Sequence, residues 1–443
     1  EDGIRDQPRS RGLGDVYKRQ KYKDLAGRIG ILKTSKGEIE TPALAPVVNP
    51  ISNIVPPIKI QEIGFQLVMT NSFIIRKEYG DLAKKLGVHK ILGIDGPVMT
   101  DSGAYQLMEY GYVDISPEEI VNYQVEIGSN IGVILDIPSK YYVSRLQTIG
   151  EVLETLRRAL RALNIDRKDM LLVGPVQGGI HYDLLEYSAK KMSVLPFDLY
   201  AVGGPTQLME NYMYDSIMEM IYRVRKHIPL SAPLHLFGAG HPMMLSFAVA
   251  LGVDLFDSAS YALYARDLRY LTPYGTLRLE NMSYFPCNCE VCKRYTPKEV
   301  MEMPRNEAEQ LIALHNLYVL NSEIKLIKEA IAEGFLWELL EIRARGHPSL
   351  LNALKKITEY VEYIEKLTPV TRPKGQGIFF LSPLSLSRVE VYRHKKKLTT
   401  FWSKGKIILL LPEINERPFI LQDPIRKFYE KYISNLNHRL CLP

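Results

Sequence analysis

Eight short apolar runs, each ending in a small or polar residue and each followed by a helical pattern, limit what this 443-residue chain can fold into. After GRIGILKTSKGEIETPALAPVVNP, which reads as a short hairpin feeding a first strand near 42–48, seven runs follow. They are FQLVMTNS (65–72), GPVMTDSG (96–103), GVILDIPS (132–139), LLVGPVQGG (171–179), LYAVGG (199–204), LHLFGAG (234–240) and VDLFDSAS (253–260). Between them lie segments such as SPEEIVNYQVEIG, where Ser116 is placed to cap and Glu118 and Glu119 suit a first turn. IGEVLETLRRALRALN carries its apolar positions at helical spacing. Strands buried on both faces read as apolar runs, so the alternation predicts a parallel (β/α)8 TIM barrel in the α/β class. A doubly wound open sheet accounts for the same alternation. It more usually shows a glycine-rich phosphate loop after its first strand, which this sequence lacks.

Barrels of this kind gather their chemistry at the carboxyl ends of the strands. Those ends here carry Asp101, Asp136, Gln177, Gly203 with Gly204, His241 and Asp257. For Asp101 and Asp257 the plainer, less favoured alternative is the N-cap of the helix that follows.

A second pattern follows the last strand. Cys287, Cys289 and Cys292 fall within six positions, and His315 follows after 22 intervening residues, inside an expected helix. Thiolates with one imidazole form a closed tetrahedral set for zinc, with no open position for chemistry. The plainer alternative is buried free cysteines and a core histidine, since Leu311, Ile312 and Tyr318 give His315 apolar neighbours. The tight clustering favours metal, one Zn2+ per subunit. It leaves only Cys441 over, so a disulfide scaffold is not expected and a reducing cytoplasm fits.

FDSASYALYARD, then YFPCNCEVC, ALHNLY and RARGHPSL, resemble the archaeal branch of the tRNA-guanine transglycosylases over about residues 21–393. The resemblance implies exchange of guanine at position 15 of the tRNA D-arm for 7-cyano-7-deazaguanine, the first step toward archaeosine. Retaining glycosyl transfer uses two carboxylates, one as nucleophile and one for the proton. Asp257 matches the family nucleophile and Asp101, in TDSGAYQ, the acid/base residue; the residues by themselves leave the two roles interchangeable. Asp136 matches the group that grips the amino edge of the base. Gln177 and the backbone at Gly203 and Gly204 match those reading its carbonyl side. Ser102 is expected beside the substrate, and Tyr105 matches an aromatic stacked on the base, with plain core packing as the alternative. Pro138 stands where bacterial relatives carry a cysteine, which fits the nitrile-bearing substrate. Arg266, Arg269, Arg278 and Arg294 are candidate contacts to the tRNA backbone, or ordinary solvated charges. The family also implies a homodimer joined near the zinc region.

The net charge of +6 is compatible with a polyanionic partner and is weak support for one. No apolar run is long enough for a membrane span. Residues 1–20 hold nine charges with almost no apolar periodicity, and DVYKRQ matches a translated sequencing adapter. They are expected to lie outside the fold as a disordered segment. The barrel domain is expected over 21–366, with a zinc subdomain at 284–345. A small C-terminal α/β module should occupy 367–443: a proline-rich linker, a short strand before the basic run 393–397, a strand in KGKIILLLPEINERPF and a helix in DPIRKFYEKYISNL. Archaeal relatives usually continue into an RNA-binding module, expected here either as lost by truncation or on a separate chain in trans. Two other functions remain to be weighed: a queuine-type enzyme acting on the anticodon, and a non-catalytic tRNA-binding paralogue that keeps the zinc.

Overall fold

The computed structural model describes residues 17–104, 115–370, 377–402 and 423–432. Contacts divide the chain into two compact units, Glu1–Val389 and Glu390–Pro443. The sequence placed its boundary earlier, at 366.

The larger unit is built on eight parallel strands: β4 (Ala43–Pro46), β5 (Val68–Asn71), β6 (Val98–Asp101), β7 (Ile131–Val133), β8 (Leu171–Val176), β9 (Leu199–Val202), β10 (Leu234–Leu236) and β11 (Leu255–Ser258). Seven fall within the apolar runs, and β7 begins one residue before its run. Their order in the sheet is β4-β11-β10-β9-β8-β7-β6-β5, and a bridge between Val47 and Met69 brings the two ends together. The backbone N–H of Val48 donates to the Met69 carbonyl at 2.7 Å, so the sheet closes into a barrel and the open-sheet alternative is excluded. Ala45, Met69, Met99, Val133, Val173, Ala201 and Leu255 point inward and fill it. This is the layered interior of a TIM barrel, packed and not hollow. Helices between the strands form where expected; Ser116 and Glu119 make a reciprocal capping box at the start of Pro117–Glu126.

Ahead of the barrel, β1 (Tyr17–Asp24), β2 (Gly27–Thr34) and β3 (Gly37–Thr41) form an antiparallel sheet in the order β1-β2-β3. Leu32 and Ile39 from this sheet pack with the barrel interior and plug the end where the strands begin. Tyr17–Gln20, expected to lie outside the fold, instead open β1: Tyr17 pairs with Leu32 and Lys18 with Ile31. Backbone pairing does not require the apolar periodicity that those residues lack. Residues 1–16 lie outside the described residues.

Asp254 interrupts the apolar run of the last strand, VDLFDSAS. It is buried and holds Arg28 through two 2.8 Å bonds, and it accepts the Leu234 N–H at 2.9 Å. Burial alone would raise its pKa, but Arg28 overcomes this and holds the carboxyl below its usual range. This pair pins the N-terminal sheet to the barrel.

After β11 come a two-stranded hairpin, β12 (Arg269–Thr272) and β13 (Gly275–Arg278), the cysteine segment, and the 29-residue helix Arg305–Glu333. Asn316 on that helix accepts the Leu271 N–H at 2.8 Å, and Asn321 donates to the Ile63 carbonyl at 2.7 Å. One helix thereby ties the hairpin to the barrel. The larger unit runs on through Pro383–Ser387, a 3-10 turn, to buried Arg388, which pairs with Glu338 at 2.8 Å.

The short strand expected before the basic run is corrected: Val389–Trp402 is a helix that contains 393–397. Alternation over VEVY is too brief to specify a strand, and the unbranched basic residues after it favour helix. Of the smaller unit, the described residues show the remainder of this helix and the helix Asp423–Tyr432. The expected strand in KGKIILLLPEINERPF lies outside the described residues. Among the described residues no helix is long and apolar enough to cross a membrane.

Candidate active site and metal centre

Asp101 is the last residue of β6, and Asp257 lies near the carboxyl end of β11, so both sit at one mouth of the barrel. Asp101 Oδ1 accepts from the Gly103 N–H at 2.7 Å and the Asn71 side-chain amide at 2.8 Å. Its pKa is pushed up to about 7. Burial is the main cause; the two hydrogen bonds pull it down, while the charges of Asp257 and Asp136 add to the rise. A carboxyl that titrates near neutrality can both give and take a proton at working pH. Asp257 differs: its Oδ1 accepts the Gly238 N–H at 2.9 Å and stands 2.9 Å from His235 Nε2. Asp257 is not the N-cap of the helix that follows it: Ala259 leads Ser260–Arg266 without a side-chain cap. Asn71, beside Asp101, caps the helix Ser72–Tyr79.

Asp136 is buried beyond β7 and accepts the Gln177 side-chain amide at 2.5 Å. Its pKa is pushed up to about 6, by burial first and against the Gln177 hydrogen bond. Gln177 Oε1 in turn accepts the Ser139 N–H at 3.0 Å, so one amide links two strand ends. Gly203 lies against that amide: a Cβ there would stand 2.0 Å from Gln177 Nε2. Gly204 has a φ of 76°, and a Cβ on it would meet the Ser139 carbonyl at 2.7 Å. Asp136, Gln177, Gly203 and Gly204 thus form one patch of carboxylate, amide and bare backbone, a surface suited to a flat heterocycle with donors and acceptors on its edge.

Ser102 is buried, and its hydroxyl donates to the Ile134 carbonyl at 2.9 Å, tying β6 to the end of β7. Tyr105 lies outside the described residues. His241 caps the helix Pro242–Ala250 through its Nδ1, and burial, aided by Arg269, brings its pKa down to about 4. Three of the four candidate arginines have local side-chain partners: Arg269 lies over Tyr264 at 5.0 Å, Arg278 pairs loosely with Glu280 at 3.9 Å, and Arg294 lies 5.9 Å over Tyr295. At Arg266 the backbone carbonyl accepts from Arg305.

Two residues at the mouth escaped the reading of strand ends: Asn71 and His235. Asn71 sits in register with Asp101, and a polar residue closing the run VMTN was the available signal. His235 is the one titratable residue inside the run LHLF.

Cys287, Cys289, Cys292 and His315 converge, with their donor atoms within 4.8 Å of one another. The sulfurs of Cys289 and Cys292 are 3.5 Å apart, and His315 Nδ1 lies 3.5 Å from the first and 3.4 Å from the second. Donors at about 2.0–2.3 Å around one tetrahedral zinc stand roughly 3.5–3.8 Å from each other, so the cluster fits such an ion. His315 Nε2 lies 2.9 Å from the Leu271 carbonyl, a partner that keeps the proton on Nε2 and turns Nδ1 to the thiols. Tyr270 stacks on the imidazole at 3.6 Å and brings its hydroxyl to 3.3 Å from Cys292 Sγ. Among the described residues no further His, Cys, Asp or Glu joins the four donors, as a closed structural site requires.

A family model described as queuine tRNA-ribosyltransferase matches residues 24–349. The tRNA-guanine(15) transglycosylase of Sulfolobus acidocaldarius is 44% identical over 394 residues, covering 88% of this chain and 78% of the relative. That of Aeropyrum pernix is 46% identical, covering 87% of this chain and 77% of its own. The enzyme of the same name from Methanococcus aeolicus is 46% identical over 90% of this chain, which spans only 62% of that longer relative.

Proposed function

The chain belongs to the queuine tRNA-ribosyltransferase family, pentosyltransferases that exchange bases in tRNA, and from that premise we propose that it replaces guanine at position 15 of the D-arm with 7-cyano-7-deazaguanine. The relatives' names support position 15 over the anticodon, and the two mouth aspartates support an active enzyme over a non-catalytic paralogue. The observation that carries the reading is the pair of carboxyls at one barrel mouth: burial raises Asp101 to about 7, and the charge of Asp257 adds to the rise.

Asp257 attacks C1′ of the ribose while the bond to guanine N9 breaks, and Asp101 supplies the proton that guanine carries away. The incoming base then gives its N9 proton to Asp101, N9 attacks C1′, and the Asp257 carboxylate is released. Asp136 and Gln177 grip the edge of each base, with Gly203 and Gly204 allowing its close approach. Ser102 lies behind this patch and Tyr105 stacks on the base. Reaching a nucleotide inside folded tRNA requires its extrusion, at a cost of a few kcal/mol. The cysteine–histidine site holds zinc, one ion per subunit, whose role is to hold β12 and the long helix together. The active form is a homodimer joined near that site, acting in the cytoplasm.

Incorporation of labelled guanine, and denaturing electrophoresis with tRNA and a base analogue that cannot be re-added, test the chemistry. Asp257→Ala should lose both exchange and the covalent tRNA band. Asp101→Ala should slow exchange by roughly 10²–10⁴-fold yet trap some adduct. A band that persists without Asp257 and never forms without Asp101 reverses the roles.

A further inference from the structure

We propose that His235 is a positioning residue for Asp257, holding one carboxylate oxygen from inside the barrel so that the other faces the ribose. The inference rests on the reading of Asp257 as nucleophile. His235 on β10 is in register with Ala201 on β9 and Leu255 on β11, both of which fill the barrel interior. The imidazole therefore occupies a place where its neighbours are aliphatic, and it is 1% exposed. Its Nε2 stands 2.9 Å from Asp257 Oδ1 but out of line, and neither ring nitrogen has a hydrogen-bond partner among the described residues. A buried nitrogen without a partner costs stability, which leucine at this position would avoid. A lone pair on Nε2 facing a carboxylate at 2.9 Å would repel it, so Nε2 carries the proton.

The same Oδ1 accepts the Gly238 N–H from above, at 2.9 Å. Oδ1 is thus bonded by Gly238 and contacted by the imidazole, and Oδ2 has no hydrogen-bond partner among the described residues. Phe237 packs edge-to-face on the imidazole, with centroids 4.7 Å apart, and limits the ring's rotation. Fixing one oxygen fixes the direction of the other, which is the geometry an attacking group needs.

The test compares His235→Leu, which keeps the volume and loses the donor, with His235→Gln, whose amide nitrogen reaches the place of Nε2. Adduct formation is followed in single turnovers at saturating tRNA, beside KM for tRNA and melting temperature. The leucine variant should slow adduct formation by roughly 10–100-fold, the order of loss that a ~1 Å misplacement produces. Its KM for tRNA should stay unchanged, and the glutamine variant should recover most of the rate. A leucine variant at wild-type rate, or glutamine and leucine equally slow, overturns the assignment. If leucine prevents folding, nitrogen NMR of the histidine-labelled wild-type protein decides: a proton on Nε2 upholds the proposal, and a proton on Nδ1 alone with bare Nε2 overturns it. Asp257→Ala run in parallel separates the two readings. Adduct without Asp257 removes the nucleophile itself, whereas its loss together with silent His235 variants removes only the positioning role.

Discussion

The side-chain amide of Asn71 donates to Asp101 Oδ1 at 2.8 Å while its own carbonyl oxygen accepts the Ile74 N–H, also at 2.8 Å. The helix cap decides which end of the amide faces the aspartate, because only the NH2 group is left for the carboxylate. A donor of this kind favours the charged carboxylate and draws its pKa down. Asp101 at about 7 is therefore a balance: burial dominates, and Gly103 and Asn71 restrain it.

Removing the restraint should move the balance in a known direction. Asn71→Ser retains a capping hydroxyl but is too short to cap and to reach Asp101 together. The Asp101 pKa should rise above about 7. On the proposed roles guanine departure needs that carboxyl protonated, so the high-pH limb of the adduct-formation profile should shift upward by a few tenths of a pH unit to one unit. A limb that stays in place would remove Asn71 from the tuning of Asp101.

The same raised pKa makes Asp101 a cost to folding at neutral pH. The folded protein keeps a proton that the unfolded chain releases at about pH 3.9. Its contribution is thus fully present below pH ~4 and is lost as pH rises through about 7. Asp101→Asn, neutral at every pH, should be more stable than wild type above pH 7, by on the order of 1–2 kcal/mol once partial exposure is allowed for. The gain should shrink toward pH 4. Denaturant titrations at pH 5 and pH 8 measure it, and an advantage that grows as pH falls would contradict the sign.

Much of this mouth was legible because parallel strands buried on both faces appear as apolar runs whose last residues are the site. Asp101, Asp136, Gln177 and Asp257 could be placed by that rule alone. Asn71 and His235 could not, since their roles depend on register between strands and on which face of a strand looks inward. Asp254 misled for a similar reason: its partner, Arg28, lies 226 positions away. The cysteine cluster was plain because metal ligands are spaced by the ion's own small radius. Its supporting contacts, Leu271 and Tyr270, come from a hairpin that nothing in the spacing announced.

Metal loss should act on structure before chemistry. Cys289 contributes one donor of a closed set of four, and the histidine of that set is braced against the β12 backbone. Cys289→Ser should reduce bound zinc well below one per chain and lower the melting temperature, since binding energy at such sites is folding energy. At temperatures where the variant remains folded, its preference between guanine and 7-cyano-7-deazaguanine should match wild type. Elemental analysis and calorimetry check the first part, and base competition the second. A variant of normal stability and metal content that has lost activity would place the site in the chemistry.

Gly203→Ala probes base recognition without touching a charged group. Its Cβ would stand 2.0 Å from Gln177 Nε2 and 2.5 Å from Gln177 Cδ, closer than any contact can be. Backbone yields less readily than a side chain, so Gln177 must swing away. It then forfeits its bond to Asp136 Oδ2 and the one its Oε1 accepts from Ser139 N–H. Both consequences fall on the base-binding patch. The edge of the base loses an oriented amide, and Asp136, freed of a donor that holds it down, rises above about 6 and carries less charge near neutral pH. Neither Asp101 nor Asp257 takes a hydrogen bond from Gln177 among the described residues, so covalent capture of tRNA should survive. The expected outcome is a KM for the free base raised by roughly 10-fold or more, the loss that follows when a buried polar partner is misplaced. KM for tRNA and the amount of adduct trapped should change little. A base KM within twofold of wild type would mean that Gln177 adjusts without consequence and that recognition lies elsewhere in the mouth.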